Sequence, residues 1–262
     1  MKLIEMSAPD VTKAARRAVV VLPLAAIEQH GPHLAVSTDS AIVTAVAVAV
    51  EARLPKVVAL YPTLHFGSSH HHLKFGGTLS LPPALYTDVV VELAASLLSG
   101  GFRRIVLLNG HGGNITSVIQ ALSILSHRHD DDLQPNIALT TYWEVGGKAF
   151  AGNAPMKTPA LSHACEYETS TMLHLYPHRV NMDAAQRGRR PKRNGYIPWE
   201  DDEPQRGVTL AKRTHFISST GASGDPRLAT AAKGKLLVGA AIDAVVKFID
   251  EFRDWPLMRS LR

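Results

Sequence analysis

The chain has 262 residues, 45% of them hydrophobic and 19% charged, so it can bury a sizeable core and its composition excludes disorder as the default. A net charge of +5 is too mild to make nucleic-acid binding the first expectation, and the single cysteine, Cys165, excludes an intrachain disulfide. The most apolar run, 41–50, is too short to cross a membrane and residues 1–10 lack a signal-peptide apolar core, so the chain reads as a soluble, cytoplasmic protein with no membrane or nucleic-acid partner.

The first predicted strand covers 19–24, a continuous apolar run. A helix is predicted over 40–53, ending before Pro55; its Ala and Val residues make it apolar nearly all round, which implies deep burial or an oligomer contact. A strand at 57–61 follows, then a helix at 83–98 stopped by Gly100-Gly101, a strand at 104–108, a helix at 115–127 and a strand at 137–142. Helices are expected at 166–176, closed by Pro177, and at 226–252. Short apolar strands alternating with helices predict an α/β fold, a three-layer α/β/α sandwich with a mostly parallel sheet. Ligands gather at the carboxyl ends of such strands. The stretch 178–214 is polar, basic and rich in Pro and Gly, and reads as a lid or insertion within one domain spanning 1–262. Its run Arg187-Gly188-Arg189-Arg190-Pro191-Lys192-Arg193 suits a solvated loop, an anionic substrate or a subunit contact.

Three stretches carry chemistry. Glu28-Gln29-His30-Gly31-Pro32-His33, running on to Thr38-Asp39, follows the first strand. If strand geometry continues, Glu28 and His30 leave on one face. Asp39 falls at a helix start, where it either caps the helix or joins them as a ligand. Oxygen and imidazole donors together suit zinc, manganese or iron(II). The second stretch, Asn109-Gly110-His111-Gly112-Gly113-Asn114, joins a strand to a helix. It matches neither the dinucleotide nor the P-loop pattern; its glycines let the backbone come close while His111 points into the crevice. In the third, His163-Ala164-Cys165-Glu166-Tyr167-Glu168, the acids either favour a helix dipole or supply Glu168 as a carboxylate ligand with His163 as an acid/base group. Cys165 fits a small buried residue better than a nucleophile. Between them, His70-His71-His72 precedes Gly77-Thr78, either as a surface loop or as a crevice loop in which His72 and Thr78 bind substrate.

These motifs in combination resemble the creatininase (creatinine amidohydrolase) family, over about 19–250. The resemblance implies an α/β/α sandwich, a centre of two divalent metal ions (zinc, manganese or iron) and a homo-oligomer, often a hexamer. Carried over to this chain, Glu28 and His111 would hold one metal, His30 the other, and Asp39 would bridge them. Two departures stand out. The family's Glu-His before Phe-Pro-Gly-Thr is here His71-His72 before Phe75-Gly76-Gly77-Thr78. Creatinine-hydrolysing members carry a Glu ligand where this chain has Gly113. Glu168, in the family's Glu-Thr-Ser pattern, is expected to fill that gap in preference to Glu166, with a pocket reshaped away from creatinine.

The resulting expectation is a metal-dependent amidohydrolase. It would cut a non-peptide C–N bond of a small molecule, a cyclic amide among the options, through water activated by the metal pair, with His163 protonating the leaving nitrogen. Hydrolysis of a peptide or C–C bond by the same centre is the alternative, as is a metal-stabilised binding protein without turnover.

Overall fold

The computed structural model describes residues 1–128, 133–159, 161–189, 210–259 and 261. In chain order the elements are α1 (Ala8–Ala15), β1 (Val19–Leu24), α2 (Thr38–Arg53), β2 (Val58–Leu60), α3 (Pro83–Ser99), β3 (Arg104–Asn109) and α4 (Ile115–Arg128). There follow β4 (Leu133–Gln134), β5 (Asn136–Thr141), α5 (Tyr142–Gly146), α6 (Glu166–Leu175), α7 (Thr214–Ile217), α8 (Ala231–Phe252) and β6 (Met258–Arg259). The main sheet has the order β2-β1-β3-β5 with every pairing parallel, while β4 and β6 form a separate antiparallel pair.

All six residues of β1 are buried, as a strand covered on both faces requires. Alternation along it feeds two cores. Val19 and Val21 pack with α2, α6 and α8, whereas Val20, Leu22 and Leu24 pack with α1, α3 and α4. Each such fully buried aliphatic side chain contributes roughly 1.5–3 kcal/mol over exposure. Pro23 is tolerated in this central strand because 19, 21 and 25 bond toward the β2 side through Val57, Tyr61 and Leu64, so its missing N–H removes no bond to β3. The expected three layers and parallel sheet are therefore present.

Several boundaries moved. Tyr142 leaves the fourth predicted strand and opens α5, whose first turn is capped by the Thr141 side chain accepting from Glu144 N–H. The C-terminal helix begins at Ala231, where the Thr230 side chain accepts from Lys233 N–H; Pro226–Leu228 is a separate 3₁₀ turn. The amphipathic α1 carries too short an apolar stripe to have been legible in sequence. Of the expected lid, 190–209 lies outside the described residues. No helix among the described residues is long and apolar enough to cross a membrane.

Candidate metal centre

The site lies beyond the carboxyl ends of β1 and β3. β1 stops at Leu24, and the chain through Glu28 and His30 is irregular apart from single bridges such as Ile27 to Leu79. The expected continuation of strand geometry is thus absent. Both side chains nevertheless reach one point, because Gln29 N–H bonds the Thr78 hydroxyl at 3.1 Å and Gly31, at φ +66°, turns the chain inward. Thr78 therefore braces this backbone.

Asp39 lies within the first turn of α2, and the N-cap residue Ser37 makes no side-chain cap bond. Its carboxylate instead spans two imidazoles: Oδ1 is 3.1 Å from His30 Nε2 and Oδ2 is 3.0 Å from His111 Nδ1. Glu28 Oε1 lies 3.3 Å from His111 Nδ1, 3.4 Å from His163 Nδ1 and 3.6 Å from His72 Nε2. Glu168 Oε2 is 3.8 Å from His30 Nε2 and accepts from Ala164 N–H. Glu28, His30, Asp39, His111 and Glu168 are all buried.

The second nitrogen of each central imidazole fixes its tautomer. His30 Nδ1 donates to the Glu28 carbonyl at 3.1 Å, and His111 Nε2 donates to the Ser68 carbonyl at 3.2 Å. The nitrogen left over on each ring then presents a lone pair to a carboxylate. Two lone pairs repel unless a cation stands between them, either a proton or a metal ion. His30 Nε2 and Asp39 Oδ2 are accordingly buried with no hydrogen-bond partner of proper geometry.

Electrostatics agree. Burial opposes charge on both partners, but His111 holds the Glu28 carboxyl below its usual range, and His30 with His111 does the same for Asp39. Burial would likewise lower His30 and His111; Asp39 for the first and Glu28 for the second overcome it and raise both well above the ordinary imidazole value. Two buried carboxylates facing the open nitrogens of two imidazoles supply the negative charge and lone pairs that a divalent cation needs. Four overlapping triads have their ligand atoms within 4.8 Å of one another: Glu28/His30/Asp39, Glu28/His71/His111, Glu28/His72/His163 and His30/His163/Glu168. This donor set fits zinc, manganese or iron(II).

Around these groups runs a supporting shell that sequence reasoning missed. Ser69 Oγ donates to Glu28 Oε2 at 2.6 Å and lies 3.0 Å from His111 Nε2, linking the two. Gln29 Nε2 is 2.6 Å from His72 Nδ1 and 3.0 Å from His163 Nε2. Asn114 bonds Ser68 N–H, the Ala25 carbonyl and Asn109, which in turn donates to the His111 carbonyl. His33 meets Thr169 at 2.9 Å, and burial pulls its imidazole down to about 4. All lie inside or beside the stretches already singled out, but nothing in residue type alone separates such a brace from a loop polar group.

His163 Nε2 is 2.7 Å from the Gln29 carbonyl, so it donates there and turns Nδ1 to the centre. Burial, followed by the charge on His30, lowers its imidazole and favours the neutral ring. His72 is likewise held neutral by burial and by the neighbouring imidazole of His163. Burial pushes the Cys165 thiol up to about 12, which leaves it inert as a nucleophile. Gly113 is not the gap that the sequence suggested. A Cβ there would stand 2.4 Å from both His111 Nε2 and the Ser68 carbonyl and 2.9 Å from His71 Cε1. The loop 68–72 occupies that space.

A family model described as creatininase, creatinine amidohydrolase, matches residues 4–249. The chain belongs to the creatininase family. Among its relatives, the mycofactocin precursor peptide peptidase of Mycobacterium tuberculosis (strain CDC 1551 / Oshkosh) is 32% identical over 246 residues, covering 90% of this chain and 86% of that protein. Creatinine amidohydrolase of Pseudomonas putida is 30% identical over 191 residues, covering 65% and 69%. In fold, a mutant creatininase of the Zn-Zn type aligns with a TM-score of 0.80 at 24% identity, over 95% of this chain and 96% of that one. The chain is thus a creatininase-family hydrolase, and its buried His and Glu cluster supports metal dependence.

Proposed function

We propose that this creatininase-family hydrolase cleaves an amide C–N bond at a centre of two divalent ions. The observation that carries the reading is Asp39, whose two oxygens face His30 and His111 separately, each imidazole having its other nitrogen committed to a carbonyl. In this reading Glu28 and His111 hold one ion, His30 and Glu168 the other, and Asp39 serves both. Such ions, when bound, supply positive charge that acidifies water near neutral pH and polarises a carbonyl.

The protein groups then divide the remaining work. Glu28, held by the Ser69 hydroxyl, and His111, held by the Ser68 carbonyl, keep fixed orientations at no cost during reaction. His163 presents a bare Nδ1 to the site, placed to take a proton from the attacking water and to hand that same proton to the leaving nitrogen. The Gln29 carbonyl aligns it, and the Gln29 side-chain amide, 2.6 Å from His72 Nδ1, holds His72, which would face substrate. The backbone at 33–35 pairs with the start of the expected lid: Asn181 N–H meets the His33 carbonyl at 2.8 Å and Ala35 N–H the Arg179 carbonyl at 3.2 Å. That contact supports a covering segment within a single domain. A homo-oligomer belongs to the same reading and is tested by light scattering on the purified chain.

For substrate, a small non-peptide amide is the first reading. A peptide amide is the second, favoured by the peptidase relatives that share 30% or more identity across 90% of this chain. The test is a hydrolysis panel of creatinine, hydantoins, lactams, formamides and short peptides, run with metal-loaded and chelator-stripped protein. Metal-dependent cleavage of a non-peptide amide supports the first reading, and cleavage of peptides alone the second. Metal bound without cleavage of any amide would contradict both.

A further inference from the structure

We propose that His71 is a protein ligand of this centre on its Glu28–His111 side, entering where a side chain at position 113 would otherwise point. The inference rests on the metal-centre reading above and adds to it a ligand that the family resemblance does not supply.

The His70-His71-His72 triplet is divided three ways by the loop that carries it. His70 is exposed and sits 2.7 Å from Ser80 Oγ, away from the acids. His72 is buried and engaged by Gln29 at 2.6 Å. His71, half-buried, has a ring nitrogen facing the centre. Its ring lies nearly parallel to that of His111, with 12° between planes and 5.9 Å between centroids. One of its nitrogens belongs to a triad with Glu28 and His111 whose ligand atoms all lie within 4.8 Å of one another.

Gly113 explains why the imidazole fits there. A Cβ on this glycine would come within 2.9 Å of His71 Cε1, so the ring edge stands where residue 113 would direct a substituent. A side chain at 113 and the His71 ring in this position exclude one another. The first ion would then meet two carboxylates, Glu28 and the shared Asp39, and two imidazoles, His111 and His71. As a neutral donor His71 would add no negative charge on that side, so the ion would keep its pull on a substrate carbonyl.

The test compares zinc-loaded wild-type protein with His71→Ala and His71→Gln, folding being checked by circular dichroism. Chelator competition gives zinc affinity, and zinc K-edge absorption gives the average number of imidazoles per ion. Both variants are expected to bind one of two ions at least about 10-fold more weakly, the loss that removal even of an outer-shell partner brings. The imidazole average should fall by about one-half per ion, one ligand lost between two metals. Unchanged affinity and imidazole count in either folded variant would overturn the assignment of His71 while leaving the centre intact. Wild-type protein that takes up no zinc, manganese or iron would overturn both together.

Discussion

Glu166 and Glu168, two residues apart on α6, face different partners. Glu168 Oε2 lies 3.8 Å from His30 Nε2, whereas Glu166 Oε1 lies 2.5 Å from Lys233 Nζ on α8. Glu166 also accepts from Lys157 N–H, Thr158 N–H and the Thr158 hydroxyl. Helical geometry enforces the division, since positions two apart do not share a face. Glu168→Gln is therefore expected to lose the ion on the His30 side. Glu166→Gln should keep its metals but lose on the order of 3 kcal/mol of stability, because Lys233 would keep a largely buried charge without its partner. Metal analysis and urea denaturation of both variants check this. A full metal complement in Glu168→Gln would remove it from the ligand set.

His163→Ala is expected to retain both metals and the fold while turnover falls by a factor on the order of 100 to 10,000, the usual contribution of a positioned acid. Substrates with better leaving groups should suffer less, since they need less protonation. Metal content that fell in step with activity would make His163 a ligand instead.

Gly113→Glu looks from sequence like a route back to a creatinine-type site. The geometry says otherwise. A Cβ 2.4 Å from the Ser68 carbonyl meets backbone, which cannot swing aside as a flexible side chain can. The expected result is a loss of about 1–3 kcal/mol from overpacking, with reduced metal uptake as the loop 68–72 is displaced. Equilibrium unfolding and metal content measure both. A stable variant with improved metal binding would mean that the loop yields easily.

Gly221 is constrained in a different way. It has φ +85°, and a Cβ there would stand 2.0 Å from Gln29 Oε1. Gly221→Ala should push the Gln29 side chain off His72, lowering turnover with the metals still in place. Turnover at the wild-type level would show that the Gln29 side chain does not position His72.

The sequence was most legible where one local rule governs. The buried β1 run, the apolar α2 and the Asn109-to-Asn114 turn each follow from composition and period within a few residues, and all appear close to their expected limits. The convergence of Glu28, His30, Asp39 and His111 was anticipated through spacing and family likeness together. Spacing gave the wrong local reason, since no strand carries Glu28 and His30. The supporting contacts were not legible because they cross the chain: Ser69 reaches Glu28 over 41 positions, and Gln29 reaches His163 over 134. The apparent gap at Gly113 misled for the same reason, since what fills it arrives from 68 and 71.

The most direct measurement is metal stoichiometry on zinc-loaded, desalted wild-type protein, Asp39→Asn and His30→Ala. In the proposed centre Asp39, whose two oxygens meet His30 and His111 separately, would serve two ions and His30 only one. The expected result is about two ions per wild-type chain, a loss of both in Asp39→Asn and of mainly one in His30→Ala. A single ion in the wild type, or equal losses in the two variants, would contradict the shared centre.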